Sequence, residues 1–241
     1  MVVVKKVADL ATLVDDAATR FIEVVAQAQS SSSSGVHGDG RARVVLTGGT
    51  AGIKVLERVA QLSGIDWTKV HVYFGDERNV PVTHADSNEG QARAALLDKV
   101  AIPQEHVHGY GLGKVDLDDA AADYESVLAK TAPQGFDLHL LGMGHEGHIN
   151  SLFPHTAHVA ETERLVLPVK DSPKPPAERV TLTLPAVRRA NRVWLLVDGA
   201  EKAEATGHVV RRSQAIDWPA AGAEGRVETV LFVSETAATE I

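Results

Sequence analysis

The sequence predicts an α/β protein in which a mostly parallel, doubly wound sheet carries helices on both faces. Two observations support this prediction. Short apolar runs alternate regularly with segments of helical hydrophobic spacing along the 241 residues. Several of these runs end in glycine-rich turns that lead into the next helical segment. Because no internal repeat or interdomain linker interrupts the alternation, we expect a single domain over residues 1–241.

Each predicted element follows from its own local pattern. In the first helix, Leu10, Leu13, Val14 and Ala17 recur at the spacing of one helical face. The predicted strands are residues 43–46, 70–74, 136–141, 179–184, 193–197 and 227–233, after an apolar start at 2–4. Two predicted helices have both bounds, at residues 10–28 and 117–130. A third follows the turn at 47–52 and ends near residue 62, and a fourth is capped by Asp86 or Ser87 and ends near residue 100. Two more begin at Pro185 and within 198–202. Residues 30–40 form a low-complexity loop, which we expect to be flexible.

Composition limits the classes of partner. The formal net charge is −8 and no basic run interrupts it, which argues against nucleic acid or an anionic membrane as a partner. A small anionic substrate is compatible with this charge if basic side chains converge locally. Cysteine is absent, which excludes disulfides and thiol nucleophiles. With neither a long apolar span nor a signal-peptide pattern, we expect a cytoplasmic protein. As a separate expectation, it is a monomer or a weak homo-oligomer.

A histidine and a carboxylate follow the predicted strand at 136–141, on a turn rich in glycine. The turn runs from Gly142 to Pro154 and contains Glu146 and His148. Ligands of open α/β sheets bind at the carboxyl ends of the strands, so this turn is a candidate catalytic site. The backbone N–H groups of the glycine turn are candidate donors to an oxyanion.

Two other interpretations of this turn are disfavoured. Its glycines match the fingerprint of dinucleotide-binding proteins, but Pro154 prevents the long helix that the fingerprint requires. His145 and His148 lie three residues apart with a glycine between them, whereas the zinc-binding pair of metalloproteases lies four residues apart on a regular helix. We therefore predict no metal site.

Polar residues follow other predicted strands as well. The turn Thr47-Gly48-Gly49-Thr50 lies between a strand and a helix, where backbone N–H groups can bind a phosphate, although an ordinary turn has the same pattern. Asp76 and Arg78 follow the next strand and are compatible with a site or with a structural ion pair. Lys202 begins a helix, where a cation is unfavourable unless an anion neutralises it. Arg179 begins its strand, so in a parallel sheet it would lie at the opposite end from the others.

Five sequence fragments occur in one order along the chain. They are Gly48-Gly49-Thr50; Phe74-Gly75-Asp76-Glu77-Arg78 through Val80-Pro81 to Asp86-Ser87-Asn88; the turn at 142–154; Pro175-Pro176 with 179–183; and Gly199 with Lys202-Ala203. Together they resemble the 6-phosphogluconolactonase family, which is related to the glucosamine-6-phosphate deaminases. The resemblance implies a Rossmann-like fold of the sugar-phosphate isomerase type. It also implies hydrolysis of 6-phospho-D-glucono-1,5-lactone to 6-phospho-D-gluconate, in the oxidative branch of the pentose phosphate pathway, without a cofactor.

The same resemblance implies roles for individual residues. Asp76 is expected beside the sugar, and His148 is expected to be the general base. The positions expected to surround the sugar phosphate are Gly48, Gly49, Thr50, Arg78, Arg179 and Lys202. Glu146 departs from many family members, which carry Asp two residues before the histidine. If this longer carboxylate orients the imidazole, a backbone shift or a water molecule must absorb its extra reach.

The chemistry of a lactone requires few groups. Its carbonyl is an activated acyl group, so water and a general base suffice, and a histidine with a pKa of about 6.5 can accept the proton of water at neutral pH. The alternative function is an amino-sugar-phosphate isomerase or deaminase on the same fold. In the deaminases a glutamate precedes the proline that closes the histidine turn. This chain has Phe153 there, which cannot transfer a proton.

Overall fold

The computed structural model describes residues 1–113 and 115–241. Its strands are β1 Val2–Val7, β2 Ala42–Leu46, β3 Val70–Phe74, β4 Asp76–Arg78, β5 Phe136–Gly142, β6 Val166–Val169, β7 Arg179–Leu182, β8 Ala190–Val197 and β9 Glu228–Ser234. Six strands form a parallel sheet in the order β1-β9-β8-β5-β2-β3. The other three form an antiparallel sheet in the order β4-β7-β6. The mostly parallel sheet predicted from the alternation is confirmed.

The helices follow the predicted order closely. They are α1 Leu10–Ala28, α2 Gly49–Val59, α3 Asn88–Ala95, α4 Leu117–Thr131, α5 Ala157–Ala160, α6 Leu184–Val187 and α7 Ala203–Arg211. Ser87 rather than Asp86 caps α3, because its Oγ accepts a hydrogen bond from the N–H of Gly90 at 3.0 Å. α3 ends before residue 100, and a short 3-10 turn, Leu97–Lys99, completes that segment. No helix in the described ranges is long and apolar enough to cross a membrane.

The centre of the parallel sheet is buried on both faces. Every residue of β2 is buried, and so is every residue of β5 before Gly142. Successive side chains of a strand point to opposite faces, so this burial requires cover on each side of the sheet. α1 and α2 pack on each other and on β5, while α6 contacts β8 and α7 contacts β1. The doubly wound arrangement is therefore confirmed.

The strand predicted at 179–184 lies in the antiparallel sheet. β7 runs against β4, with Arg179 opposite Arg78 and Thr181 opposite Asp76. Arg179 would lie at the far end of the sheet only if its strand were parallel, and β7 is antiparallel, so this condition is not met. A strand that runs in the opposite direction brings its first residue to the edge where its neighbour ends. β6, which the periodicity did not indicate, completes this sheet.

The loop at 30–40 lies against the amino end of β5. The N–H of Val36 donates to Oδ1 of Asp137 at 2.7 Å, and Nε2 of His37 lies 3.0 Å from the carbonyl oxygen of Gly135. The predicted site residues lie near the carboxyl ends of the strands, so this loop is at the opposite end of the sheet from them. Its flexibility stays a prediction.

A buried histidine makes stability depend on pH. His139 in β5 has no exposed surface, and neither ring nitrogen has a hydrogen-bond partner in the described chain. Burial lowers its pKa to about 3, whereas histidine in an unfolded chain has a pKa of about 6.5. At a pH between these two pKa values, His139 is protonated in the unfolded chain and neutral in the folded one. The stabilisation from the neutral imidazole is therefore complete above a pH of about 6.5 and is lost as the pH falls towards 3.

We expect the unfolding free energy to decrease by up to about 1.4 kcal/mol per pH unit from this residue alone as the pH falls below about 6. His139→Leu removes the titrating group, so urea denaturation across this range is expected to show a shallower pH dependence than in the wild type. Some dependence remains, because burial also lowers the pKa of His71 to about 3 and that of His108 to about 4. The exposed His145 is the control position for a histidine-to-leucine change. Equal pH slopes for the wild type and His139→Leu would contradict the prediction.

Candidate active site

Residues predicted from separate parts of the sequence line one cleft at the carboxyl ends of β2 and β5. The predicted residues in its lining are Gly48, Gly49, Thr50, Asp76, Arg78, His148, Arg179 and Lys202. Glu146 joins the site through its contact with His148. Asn88 and Asn150 also line the cleft, although sequence reasoning assigned neither of them to the site.

The turn after β2 has the geometry of an anion-binding loop. Gly48 caps α2 without a side-chain hydrogen bond, which leaves N–H groups of the first helical turn for a ligand. A Cβ on Gly48 would lie 2.2 Å from Oδ1 of Asn88, and Gly49 has a φ of +78°, so both positions favour glycine. Oγ1 of Thr47 accepts a hydrogen bond from the N–H of Gly142 at 3.0 Å and joins this turn to the histidine turn.

The Asp76 carboxylate is held by neighbours on three other segments. Nδ2 of Asn88 donates to its Oδ1 at 2.9 Å, and Oγ of Ser151 donates to its Oδ2 at 2.6 Å. The guanidinium of Arg179 lies 3.7 Å from Oδ2. Only 8% of Asp76 is exposed. These contacts fix the carboxylate in the wall of the cleft.

Arg78 and Asp76 form no ion pair within the described residues. Instead, the guanidinium of Arg78 donates to the carbonyl oxygen of Asp86 and to Oδ1 of Asn88. Its Nε is buried and lacks a hydrogen-bond partner in this part of the chain. Arg78 therefore keeps a donor that it does not use within the protein.

Arg179 is buried and holds the loop that precedes β7. Its Nε donates to the carbonyl oxygen of Pro176 at 2.9 Å, and its Nη2 donates to that of Lys174 at 2.9 Å. Burial lowers the pKa of Arg179, an effect that the Asp76 carboxylate opposes. The guanidinium thus joins this loop to Asp76 as well as lining the cleft.

Lys202 enters the cleft from the start of α7. It ends the short 3-10 turn Ala200–Lys202 and is the N-cap residue of α7. No carboxylate of residues 1–113 or 115–241 forms an ion pair with it. The helix dipole places partial positive charge at the N-terminus and disfavours a cation there, so an anion bound in the cleft would stabilise the Lys202 ammonium.

His148 is positioned by the glycine turn and by Phe153. The N–H of Gly144 donates to the carbonyl oxygen of His148 at 3.0 Å, which closes the turn. A Cβ on Gly144 would lie 2.1 Å from Nδ1 of His148, so only glycine leaves room for the imidazole. The ring stacks on Phe153, with centroids 4.5 Å apart and an angle of 23° between the planes. Packing therefore restricts the orientation of the ring.

Glu146 contacts the imidazole directly. Its Oε2 lies 3.1 Å from Nδ1 of His148, so the longer side chain needs no bridging water. Nζ of Lys174 lies 2.7 Å from Oε1 of Glu146 and 3.4 Å from the same Nδ1. Burial acts to raise the pKa of Glu146, but hydrogen bonds from His148 and Lys174 outweigh it and hold the pKa well below its usual range. An ionised Glu146 can accept a hydrogen bond from Nδ1–H, which leaves Nε2 as the acceptor of the ring.

Sequence reasoning missed Lys174, and part of the backbone-donor set that it proposed for the glycine turn is engaged within the protein. Lys174 stands directly before Pro175-Pro176, and nothing in its local pattern connects it to the histidine turn. The three glycine N–H groups of that turn donate within the protein: Gly142 to Thr47, Gly144 to His148 and Gly147 to Gly144. These three donors are engaged, so an oxyanion site in this turn would have to use its other N–H groups, such as that of Met143, which lines the cleft. That role stays a prediction.

The alternative ligands considered for the turn find little support in the geometry. After Gly147 the described chain forms turns until α5, which is only four residues long, so the helix needed for a dinucleotide is missing. In the described ranges, no group of three or more His, Asp or Glu side chains is arranged to hold a metal ion. The lining instead combines Arg78, Arg179 and Lys202 with one carboxylate, which suits an anionic ligand despite the negative net charge of the chain.

A family model described as glucosamine-6-phosphate isomerases/6-phosphogluconolactonase matches residues 8–232. The chain belongs to this family. A 6-phosphogluconolactonase of Mycobacterium tuberculosis is 49% identical over 212 residues, which cover 84% of this chain and 86% of the relative. That of Mycobacterium leprae is 47% identical over 222 residues, covering 88% and 90%. The crystal structure of a 6-phosphogluconolactonase from Thermotoga maritima is 26% identical, covers 98% of this chain and 100% of its own, and has a TM-score of 0.81.

Proposed function

We propose that this chain hydrolyses 6-phospho-D-glucono-1,5-lactone to 6-phospho-D-gluconate, in the oxidative branch of the pentose phosphate pathway. The observation that carries the proposal is the His148–Glu146 pair, 3.1 Å apart, in a cleft that also contains an anion-binding loop and three cations. Relatives of up to 49% identity named 6-phosphogluconolactonase support this choice of substrate. Water is the second substrate, and we propose that no cofactor takes part.

In the proposed reaction, His148 is a general base. Glu146 accepts a hydrogen bond from the Nδ1–H of His148 and keeps the proton on that nitrogen, so Nε2 can take a proton from water as the water oxygen bonds to the lactone carbonyl carbon. The bond from that carbon to the ring oxygen then breaks, and His148 returns the proton to the departing oxygen. The carbonyl oxygen carries the negative charge of the tetrahedral intermediate until the bond to the ring oxygen breaks. One water is consumed, the imidazole returns to its neutral state, and the product acid releases one proton to solvent as it ionises to 6-phosphogluconate. Lys174 keeps Glu146 ionised and thereby maintains the tautomer.

The phosphate of the substrate is proposed to lie against the turn Gly48-Gly49-Thr50 and the ammonium of Lys202. Free N–H groups at the start of α2 and a cation without an internal partner in the described chain are complementary to a phosphate. The unused Nε donor of Arg78 can bind another anionic oxygen of the substrate. Held at one end, the lactone presents its carbonyl to His148.

The alternative function is an amino-sugar-phosphate isomerase or deaminase, since the family name covers both activities. Phe153 argues against it. This residue is 3% exposed, stacks on His148 and has no atom that can exchange a proton. A deaminase must open a sugar ring and move a proton between neighbouring carbons, which requires an acid or base beyond the histidine.

We expect freshly prepared 6-phosphogluconolactone to be hydrolysed well above its spontaneous rate, and glucosamine 6-phosphate to yield neither fructose 6-phosphate nor ammonia. Both assays are run on one preparation, with 6-phosphogluconate formation coupled to its dehydrogenase. His148→Ala is the control for contaminating enzymes. Ammonia release that disappears in this control, with lactone hydrolysis only at background, would replace the proposal with the deaminase.

The location and assembly of the protein stay predictions from the sequence. We propose a cytoplasmic protein that works as a monomer or a weak homo-oligomer. Small phosphorylated sugars are the expected ligands, and neither nucleic acid nor membrane is an expected partner.

A further inference from the structure

Asn150 carries a buried side-chain amide without a partner. The residue is 9% exposed and lines the cleft. Both Nδ2 and Oδ1 are buried, and neither has a hydrogen-bond partner among the described residues. Leaving a buried polar group unpaired costs free energy, because the group has lost its hydrogen bonds to water. An amide that lines a cleft can recover this energy from a ligand.

A left-handed backbone conformation at Asn150 places this residue in the lining of the cleft. Asn150 has a φ of +49°, and the N–H of Leu152 donates to the carbonyl oxygen of Ile149 at 2.9 Å across the tight turn that contains it. Asn is the non-glycine residue that best tolerates this conformation. The amide packs against Gly75, where the Cβ of any other residue would lie 2.2 Å from Oδ1 of Asn150. A turn in the left-handed region and a glycine together make room for this amide.

The donor and acceptor of the amide indicate what it binds. Nδ2 needs an acceptor and Oδ1 needs a donor. A phosphate dianion and a lactone carbonyl only accept hydrogen bonds, so neither satisfies Oδ1. A hydroxyl group both donates and accepts, and the sugar ring of the proposed substrate carries several. Arg78 and Arg179 line the same cleft, but a guanidinium carries only donors and therefore does not select a hydroxyl over a phosphate or a carbonyl oxygen.

We propose that Asn150 binds a ring hydroxyl of the substrate and makes the enzyme selective for the hydroxylated lactone. This inference rests on the proposed lactonase function and adds a specificity-determining residue to it. The amide pairs with the hydroxyl while Lys202 and the Gly48-Gly49-Thr50 turn hold the phosphate. A lactone without that hydroxyl leaves the buried amide unpaired and binds less well.

The test compares the 2-deoxy, 3-deoxy and 4-deoxy forms of 6-phosphogluconolactone with the parent. We expect the wild type to have a kcat/KM about 10- to 100-fold lower for one deoxy lactone than for the parent. Asn150→Gly, which suits a φ of +49°, is expected to lower kcat/KM for the parent by a similar factor and to leave that deoxy lactone within about twofold. Asn150→Ala should change selectivity in the same way, because it also removes the amide.

Several outcomes would overturn the inference. These are an unchanged kcat/KM for the parent in both variants, an equal loss on all lactones, or a selectivity change in Asn150→Gly that Asn150→Ala lacks, which would point to backbone flexibility. Thermal unfolding of each variant checks that the fold is retained. Failure of the proposed function is distinct, because it would appear as absent lactonase activity in the wild type.

Discussion

Replacement of His148 by alanine lowers kcat by roughly 10²- to 10⁴-fold, the range typical of a lost general base, and leaves KM within about threefold of the wild type. The reason is that the imidazole acts on a proton in the transition state. The groups proposed to bind the phosphate are on other segments, at Gly48-Gly49-Thr50 and Lys202. Loss of a transition-state interaction lowers kcat and kcat/KM together.

The measurement is steady-state hydrolysis of 6-phosphogluconolactone, with the spontaneous rate subtracted. His145→Ala is a control that makes the same chemical change in the same turn. The His145 side chain is 63% exposed, and its Nδ1 lies 3.5 Å from Oε2 of Glu146, a contact that solvent weakens. We expect this control to keep nearly full activity. A folded His148→Ala protein with wild-type kcat, or with a raised KM and an unchanged kcat, would show that the base lies elsewhere.

Replacement of Lys202 by alanine raises KM by roughly 10- to 100-fold and lowers kcat much less. A hydrogen bond to a charged group contributes about 1.5–3 kcal/mol, which corresponds to this range. The phosphate stays bound throughout the reaction, so its contacts stabilise the ground state and the transition state alike. A uniform loss of this kind appears in KM rather than in kcat.

An unphosphorylated substrate sharpens this test. Glucono-1,5-lactone lacks the phosphate, so Lys202→Ala is expected to leave its kcat/KM within about twofold while that of the phosphorylated lactone falls. Lys130→Ala is the control, because Lys130 is exposed in the last turn of α4. An unchanged KM for the phosphorylated lactone, or an equal loss on both substrates, would move the phosphate site away from Lys202.

Arg179→Ala is a less selective probe of phosphate binding than Lys202→Ala. The guanidinium holds the carbonyl oxygens of Lys174 and Pro176 and lies beside Asp76. Its removal leaves the buried Asp76 carboxylate with one fewer counter-charge and releases the loop that carries Lys174. An increase in KM would therefore be accompanied by effects on stability and on the Glu146–His148 pair.

The sequence determined the parallel sheet, its crossover helices and the turns at the ends of β2 and β5. These features depend on local patterns: apolar periodicity, glycine at turns and Ser87 at a helix start. Parallel strands end at the same edge of their sheet, so the Gly48-Gly49-Thr50 turn and His148 were expected to converge, and they line one cleft. The substrate-binding and catalytic roles of these residues stay predictions until the variants are measured.

Only the tertiary structure decided how Arg179, Lys174 and Asn150 reach the site. The alternation of side chains in β7 is the same for parallel and antiparallel pairing, so packing against β4 and β6 set the direction that brings Arg179 to the cleft. Lys174 meets Glu146 across 28 residues of chain, and such a contact has no local signature. The unpaired amide of Asn150 likewise exists only because a left-handed turn and Gly75, far apart in sequence, are packed together.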